Sequence, residues 1–251
     1  MSDTNDIGQA KDMGQANDMG GMGGRSMGGG AMDGGGLGGL LDGIRVYATE
    51  FTALNNSGVH AQALLFLDKE AQTLTVNIRA EGMEPGQAHA QHIHGPADDT
   101  EAKTPTIRQD DDGDGFVELA EGLDTYGEIQ LNLTTEPGDA EQLTGMMGVA
   151  FPTADENGVL RYTETFRFDR DDPNAKAIFD GITPLEAKEI VLHGLTTTAQ
   201  QGEGTEGEVD GTAGYKAVLP VASGELREVD VGALLSSALG HGQAGDWLFG
   251  A

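Results

Sequence analysis

Residues 61–80 read AQALLFLDKEAQTLTVNIRA, and this stretch decides the fold class. Its second half, residues 73–80, alternates between polar and apolar positions, which places its leucine, valine and isoleucine on one face of an extended strand. Residues 61–67 form another short apolar run, and the DKE sequence at 68–70 is typical of a turn. The stretch therefore predicts an antiparallel β-hairpin with one buried face.

Similar strand patterns recur along the chain, whereas helical patterns are few. Further strands are predicted at residues 44–49, 127–133, 161–168, 189–194 and 215–222, and in the histidine-rich segment that begins at residue 89. A short helix is predicted after Asp172, an N-cap residue followed by proline. A second is predicted at Thr183-Pro184-Leu185-Glu186, which has the capping-box form. Many short strands with few helices predict an all-β fold, an antiparallel sandwich or barrel.

The N-terminal residues 1–41 differ in composition from the rest of the chain. They are dominated by Gly, Met, Asp and Ser, and they contain the imperfect repeat GQAKDM and GQANDM. Such a segment buries too little apolar surface to offset the entropy of ordering it. We therefore predict a disordered tail over residues 1–41 and one folded domain over residues 42–251.

The charge of the chain excludes one class of partner and leaves two explanations for its acidity. The formal net charge is −28, with 42 acidic and 14 basic residues, so nucleic acid is not an expected partner. The excess of acid either binds cations or keeps the protein soluble at high salt, as in proteins of salt-adapted organisms. The chain has no cysteine, which excludes disulfides and thiolate metal sites. No membrane span and no signal peptide are predicted, so localisation stays open.

Residues 89–95 read HAQHIHG and contain three of the six histidines. In a strand, His92 and His94 project to the same side about 7 Å apart, whereas His89 has the opposite parity and faces elsewhere. Two imidazoles are too few for a tight metal site, so a third ligand is required. His193 is the first candidate, because it also lies in an extended apolar segment and precedes a glycine, and His60 is the next. The alternative is that these histidines are buried structural residues.

Residues 110–121 read DDDGDGFVELAE and match the twelve-position calcium loop D-x-D-x-D-G-x5-E. The preceding residues 102–108 do not look helical, so the motif would be a free-standing loop within a long acidic insertion at about 96–125. The alternative is a solvated acidic turn. The predicted calcium ligands are Asp110, Asp112, Asp114, the carbonyl of Phe116, Glu118 acting through water, and the bidentate Glu121.

The segment from about residue 47 to 225 resembles the CHRD (chordin-type) domain family in its prokaryotic form. The resemblance is carried mainly by QHIHGP at 91–96, VLHG at 191–194 and LPVASGE at 219–225. It implies a Greek-key-like β-sandwich related in outline to the copper/zinc superoxide dismutases. Those enzymes also place an H-x-H pair on a strand, follow it with a long loop and add a late histidine, an outline that His92, His94 and His193 fit.

The sequence and this resemblance together predict a CHRD-like β-sandwich with short helices in its connections. We expect a non-catalytic metal-binding module, with calcium in the acidic loop and copper or zinc at the histidines. The alternatives are a copper-dependent enzyme similar to superoxide dismutase, for which His60 or His89 would complete the ligand set, and a structural or adhesive surface protein. The resemblance favours an extracellular or surface location, where self-association or a surface partner is possible.

Overall fold

The computed structural model describes residues 43–96, 98, 100–145 and 147–230. Within these residues, ten strands form two five-stranded sheets in which all neighbouring strands are antiparallel. The all-β sandwich is therefore confirmed. The predicted tail at 1–41 and the C-terminal residues 231–251 lie outside the described residues.

The hairpin predicted from residues 61–80 lies at the middle of the first sheet. Its strands pair in register, with Leu65 opposite Val76. The Asp68 carboxylate closes the turn by accepting the backbone N–H groups of Glu70 and Ala71, each at 2.8 Å. The strand order of this sheet is β10 (Arg227–Glu228), β1 (Ile44–Glu50), β3 (His60–Asp68), β4 (Thr73–Glu81) and β7 (Val159–Arg167).

The second sheet carries His92, His94 and His193. Its strand order is β2 (Thr52–Ala53), β9 (Gly214–Glu225), β8 (Glu189–Thr197), β5 (Gln91–Gly95) and β6 (Glu128–Asn132). On the inner face Ile93 and Ile190 are direct partners and join the core between the sheets. On the outer face His94 is the direct partner of Glu189. Every residue of β5 is buried, so this outer face is covered as well.

The core between the two sheets is built from the alternate apolar positions that the sequence indicates. Removing these side chains from water is the main favourable contribution to folding. The largest fully buried apolar members include Tyr47, Leu65, Leu67, Leu74 and Phe166 from the first sheet and Ile93, Leu131 and Ile190 from the second.

The helices are short and lie in the connections. They are α1 (Leu119–Tyr126), α2 (Ala140–Thr144) and α3 (Pro173–Ile182), with single 3-10 turns at Ile107–Gln109 and Leu185–Ala187. The predicted start of α3 is confirmed, because the Asp172 carboxylate accepts the N–H of Asn174 at 2.8 Å. Among the described residues, no helix has the length and apolar character needed to cross a membrane.

The capping box predicted at residues 183–186 is wrong. Thr183 is instead the C-cap of α3, and its hydroxyl donates to the carbonyl of Phe179 at 2.8 Å. The 3-10 turn that follows has Pro184 as its N-cap and no side-chain cap. A threonine hydroxyl can form a hydrogen bond with the helix before it or with the helix after it, and here it bonds the last turn of α3.

Candidate metal centre

The two strands that carry the histidines are neighbours in the second sheet. His92 lies opposite Val191, and the backbone N–H of His193 donates to the carbonyl of Ala90 at 2.9 Å. A chain separation of 101 residues between His92 and His193 is therefore closed by the pairing of β5 with β8. This pairing places all three predicted histidines on the outer face of the sheet.

A glycine after His193 is required by the packing around it. The pairing of β8 with β9 shifts register on both sides of His193, and Gly194 has a φ of 111°. A Cβ atom at Gly194 would lie 2.1 Å from the Tyr215 hydroxyl and 2.7 Å from Nδ1 of His89. Only glycine fits this position, which gives the His-Gly pair of the sequence a physical cause.

The three histidine rings meet in one buried cluster. Each offers a nitrogen, and these three nitrogens lie within 4.8 Å of one another. The ring centroids of His92 and His193 are 4.9 Å apart, those of His92 and His94 5.5 Å, and those of His94 and His193 6.2 Å. His94 and His193 are fully buried and His92 is 6% exposed. This His triad (His92, His94, His193) could hold a metal ion, as the sequence predicts.

Backbone carbonyls fix the tautomers of two members of the His triad. Nδ1 of His94 donates to the carbonyl of Gly127 at 2.8 Å, and Nδ1 of His193 donates to that of Val218 at 2.7 Å. Each Nε2 is then left with a free lone pair. Nε2 of His193 lies 3.1 Å from Nδ1 of His92, whereas the buried Nε2 of His94 has no hydrogen-bond partner among the described residues.

Burial keeps the His triad neutral. Removal from water lowers the pKa of His193 to about 3 and that of His94 to about 4. The pKa of His92 is lowered well below its ordinary value, first by burial and then by the neighbouring rings of His193 and His94. Neutral imidazole is the form that binds metal, so the environment holds these residues in the ligating state.

Two groups that orient His94 come from the end of α1, a helix that the sequence did not predict. The Tyr126 ring packs against His94 with centroids 4.6 Å apart, and Gly127 supplies the carbonyl that accepts from Nδ1. A Cβ at Gly127 would lie 2.3 Å from the carbonyl carbon of Gly95, so glycine permits this close approach. The Tyr-Gly pair of the sequence was the available signal for both groups.

The remaining described histidines do not join the His triad. His60 is exposed and begins β3 of the opposite sheet. His89 is buried and faces elsewhere, as its parity predicts, with Nδ1 2.8 Å from the carbonyl of His193 and Nε2 3.1 Å from that of Glu84. His89 therefore supports the backbone of His193, and neither residue supplies a fourth ligand in this arrangement. His241 lies outside the described residues.

The acidic loop brings three of its predicted calcium ligands together. Carboxylate oxygens of Asp110, Asp112 and Asp114 lie within 4.8 Å of one another. Gly115 has a φ of 90°, the conformation that a sharp turn at position 6 needs. The Asp110 carboxylate accepts the backbone N–H of Gly113 at 2.7 Å, which draws the loop around it.

The other predicted calcium ligands lie around the start of α1. Glu121 accepts the N–H groups of Asp111 and Glu118, each at 2.8 Å. Glu118 is buried and accepts the N–H of Val209 at 2.7 Å, so its carboxylate contacts the connection between β8 and β9. Burial raises the pKa of Glu118 to about 7. The Phe116 side chain joins a small cluster with Val209.

A buried carboxylate that the sequence analysis missed lies beside the His triad. Glu189 is fully buried and is the direct cross-strand partner of His94. Its Oε1 accepts the hydroxyls of Thr104, at 2.5 Å, and Ser223, whereas its buried Oε2 has no hydrogen-bond partner among the described residues. Burial raises the pKa of Glu189 to about 7. In a chain with 42 acidic residues, no sequence signal could single it out.

No model of a protein family and no curated protein matches this chain. The resemblance to CHRD domains therefore stays a prediction from the sequence motifs. What the structure adds is the two-sheet fold and the convergence of three histidines on its outer face.

Proposed function

We propose that this protein is a non-catalytic, CHRD-like metal-binding module whose transition-metal site is the His triad. One observation carries the proposal: three buried imidazoles converge, and backbone carbonyls hold two of them with Nε2 unprotonated. The ligand atoms would be Nδ1 of His92 and Nε2 of His94 and His193. An all-imidazole set suits copper or zinc.

The distances within the His triad support a shared ion. Metal–nitrogen bonds of about 2.0–2.1 Å at tetrahedral or trigonal angles place ligand nitrogens about 3.3–3.6 Å apart. Nδ1 of His92 and Nε2 of His193 are 3.1 Å apart, and no pair in the cluster exceeds 4.8 Å. Small ring rotations would bring all three onto one ion.

A purely structural role leaves one feature of the His triad unexplained. A hydrogen bond from Nδ1 of His92 to Nε2 of His193 satisfies those two atoms without a metal. Nε2 of His94 then remains buried without a partner, which costs on the order of 1–3 kcal/mol. A metal ion would remove this cost by taking the lone pair.

Metal titration of the purified full chain tests this assignment. We expect one Zn²⁺ or copper ion per chain at high affinity, and a loss of that site in His94→Gln. His60→Gln is the matched control, because it removes an exposed histidine from the opposite sheet. Equal uptake by the two variants, or no uptake by the unmodified chain, would overturn the proposed His triad site.

The enzymatic alternative is a copper-dependent superoxide dismutase. Three imidazoles with an open fourth position permit such chemistry, but the copper/zinc superoxide dismutases, to which CHRD domains are related in outline, use four copper ligands. His89, one candidate for the fourth, has both ring nitrogens next to backbone carbonyls. A dismutation assay on copper-loaded protein decides between the two: activity above that of the His94→Gln variant would make the protein an enzyme.

A second proposed site is a calcium ion in the acidic loop. The clustering of Asp110, Asp112 and Asp114 and the start of α1 directly after position 9 of the motif support it. Calcium at a hundredfold excess over Kd should stabilise the folded state by about 2.7 kcal/mol. Melting curves in calcium and in chelator measure this shift. Asp112→Ala, which removes the ligand oxygen at position 3, should abolish it, and Asp111→Ala, which alters a non-ligand position, should not. Equal melting temperatures of the unmodified protein in both buffers would leave only an acidic turn.

A further inference from the structure

A divalent ion in the His triad would create an electrostatic problem. The three ligands are neutral imidazoles, so the buried site would keep the full charge of the ion. An isolated charge away from water is costly unless an opposite charge lies near it. The described residues that share the outer face with His94 therefore decide which ions the site accepts.

Resting on the proposed function, we propose that Glu189 is the charge-compensating carboxylate of this metal centre and selects divalent over monovalent ions. Glu189 lies on β8 directly opposite His94 on β5, on the same face of the sheet. Direct cross-strand neighbours have Cβ atoms about 4.5–5.5 Å apart. The carboxylate is not part of the ligand cluster of the His triad, and the cross-strand position beside His94 lets it act on that cluster through its charge.

The hydrogen bonds of Glu189 hold the side chain without neutralising it, and the attraction of the exposed Lys103 has the smallest of the effects on its pKa. The hydroxyls of Thr104 and Ser223 anchor Oε1, and both are uncharged donors. Oε2 is buried and unpartnered among the described residues, so one oxygen keeps its full capacity to interact. A fully buried carboxylate in this condition is costly in the metal-free protein. A cation in the neighbouring His triad would offset that cost.

Glu225, the next residue in the row of cross-strand partners that contains His94 and Glu189, provides a matched control for Glu189. Glu225 on β9 is the direct partner of Glu189, one strand further from His94. It is partly exposed and lies 3.3 Å from Arg227 and 3.9 Å from Lys103. Its charge is therefore screened by water and by two cations. Removing the Glu225 charge should have little effect on the His triad.

The test compares Zn²⁺ with Ag⁺, a redox-stable monovalent ion that imidazole also binds, on the full chain at pH 8. Coulomb energy scales with the charge of the ion, so the logarithmic loss for Zn²⁺ should be about twice that for Ag⁺. For Glu189→Gln we expect Zn²⁺ affinity to fall about a hundredfold and Ag⁺ affinity about tenfold. Glu225→Gln should change both by less than about threefold.

Each other outcome has a definite meaning. Equal losses of the two ions in Glu189→Gln would show a packing role and overturn the inference, as would unchanged Zn²⁺ affinity. If Glu189→Gln does not fold, Glu189→Asp keeps the charge and should preserve the preference for Zn²⁺, and loss of that preference overturns the inference. An unmodified chain that binds neither ion overturns the proposed function itself.

Discussion

In the Glu189→Gln variant, where the neighbouring carboxylate cannot titrate, lowering the pH from 7.5 to 5.0 should leave metal binding by the folded protein nearly unchanged. The sequence alone suggests the opposite, because an ordinary histidine has a pKa of about 6.5 and loses its ligating form below that value. Burial in the sandwich lowers the pKa of all three members of the His triad. Protons should therefore begin to compete with the metal only near pH 4.

The size of this difference follows from the pKa values. At pH 5, three ordinary histidines would each weaken binding about thirtyfold, or about 3 × 10⁴-fold together. With a pKa of about 4, His94 weakens binding by a factor of only about 1.1, and His193, with a pKa of about 3, weakens it by less. The pKa of His92 is also lowered well below the ordinary value, so we expect a total change of less than about threefold in Glu189→Gln. In the unmodified protein, protonation of Glu189, whose pKa is about 7, adds a larger loss over the same range.

Zinc affinity of Glu189→Gln measured by chelator competition at pH 7.5, 6.5, 5.5 and 5.0 checks this expectation. Circular dichroism at each pH establishes that the protein is folded, and the chelator's own proton competition is measured separately. A decline that steepens below pH 6.5 toward three decades of affinity per pH unit would refute the reasoning. It would mean that the three rings are solvated as in a peptide.

Two further predictions concern stability. For the metal-free protein, the folded pKa values of His94 and His193 lie below the unfolded value of about 6.5, so their stabilisation is complete above pH 6.5 and is lost as the pH falls. These two histidines should therefore lose about 4 kcal/mol between pH 7.5 and pH 5, whereas Glu118 and Glu189, whose pKa values are raised to about 7, gain stability over the same range. Urea unfolding of a Glu118→Gln/Glu189→Gln protein isolates the histidine loss, and a flat profile of that protein would contradict the burial argument. Gly122→Ala should destabilise the protein by about 1–3 kcal/mol and weaken metal binding, because the added Cβ would lie 2.3 Å from the Tyr126 ring. Asp124→Ala in the same helix is the control, and a more stable Gly122→Ala protein would show that Tyr126 is free to move.

Local patterns in the sequence predict the strands and the parity of the histidine pair. Alternation with a period of two is a property of a single segment, so residues 73–80 indicate a strand before its partners are known. The same parity places His92 and His94 on one face and His89 on the other. The helix start at Asp172 is equally local, because an N-cap acts within three residues.

Where two local signals compete, the sequence does not show which of the two the folded protein uses. Thr183 can cap the end of one helix or the start of the next, and its hydroxyl bonds back to Phe179 in the folded protein. The start of α1 was hidden within the calcium-loop motif, because Glu118 and Glu121 form a capping box as well as matching two loop positions. These two residues are compatible with a calcium loop and with a helix start until the backbone conformation is known.

The sequence by itself determined the sandwich strands, the H-x-H pair and the candidacy of His193. Only the tertiary structure decided that β8 pairs with β5, which brings His193 onto His92 across 101 residues. It also decided the tautomer of His94, through the Gly127 carbonyl, and left Oε2 of the neighbouring Glu189 buried without a hydrogen-bond partner among the described residues. These features depend on burial and on contacts between distant segments, and no local pattern of residues contains them.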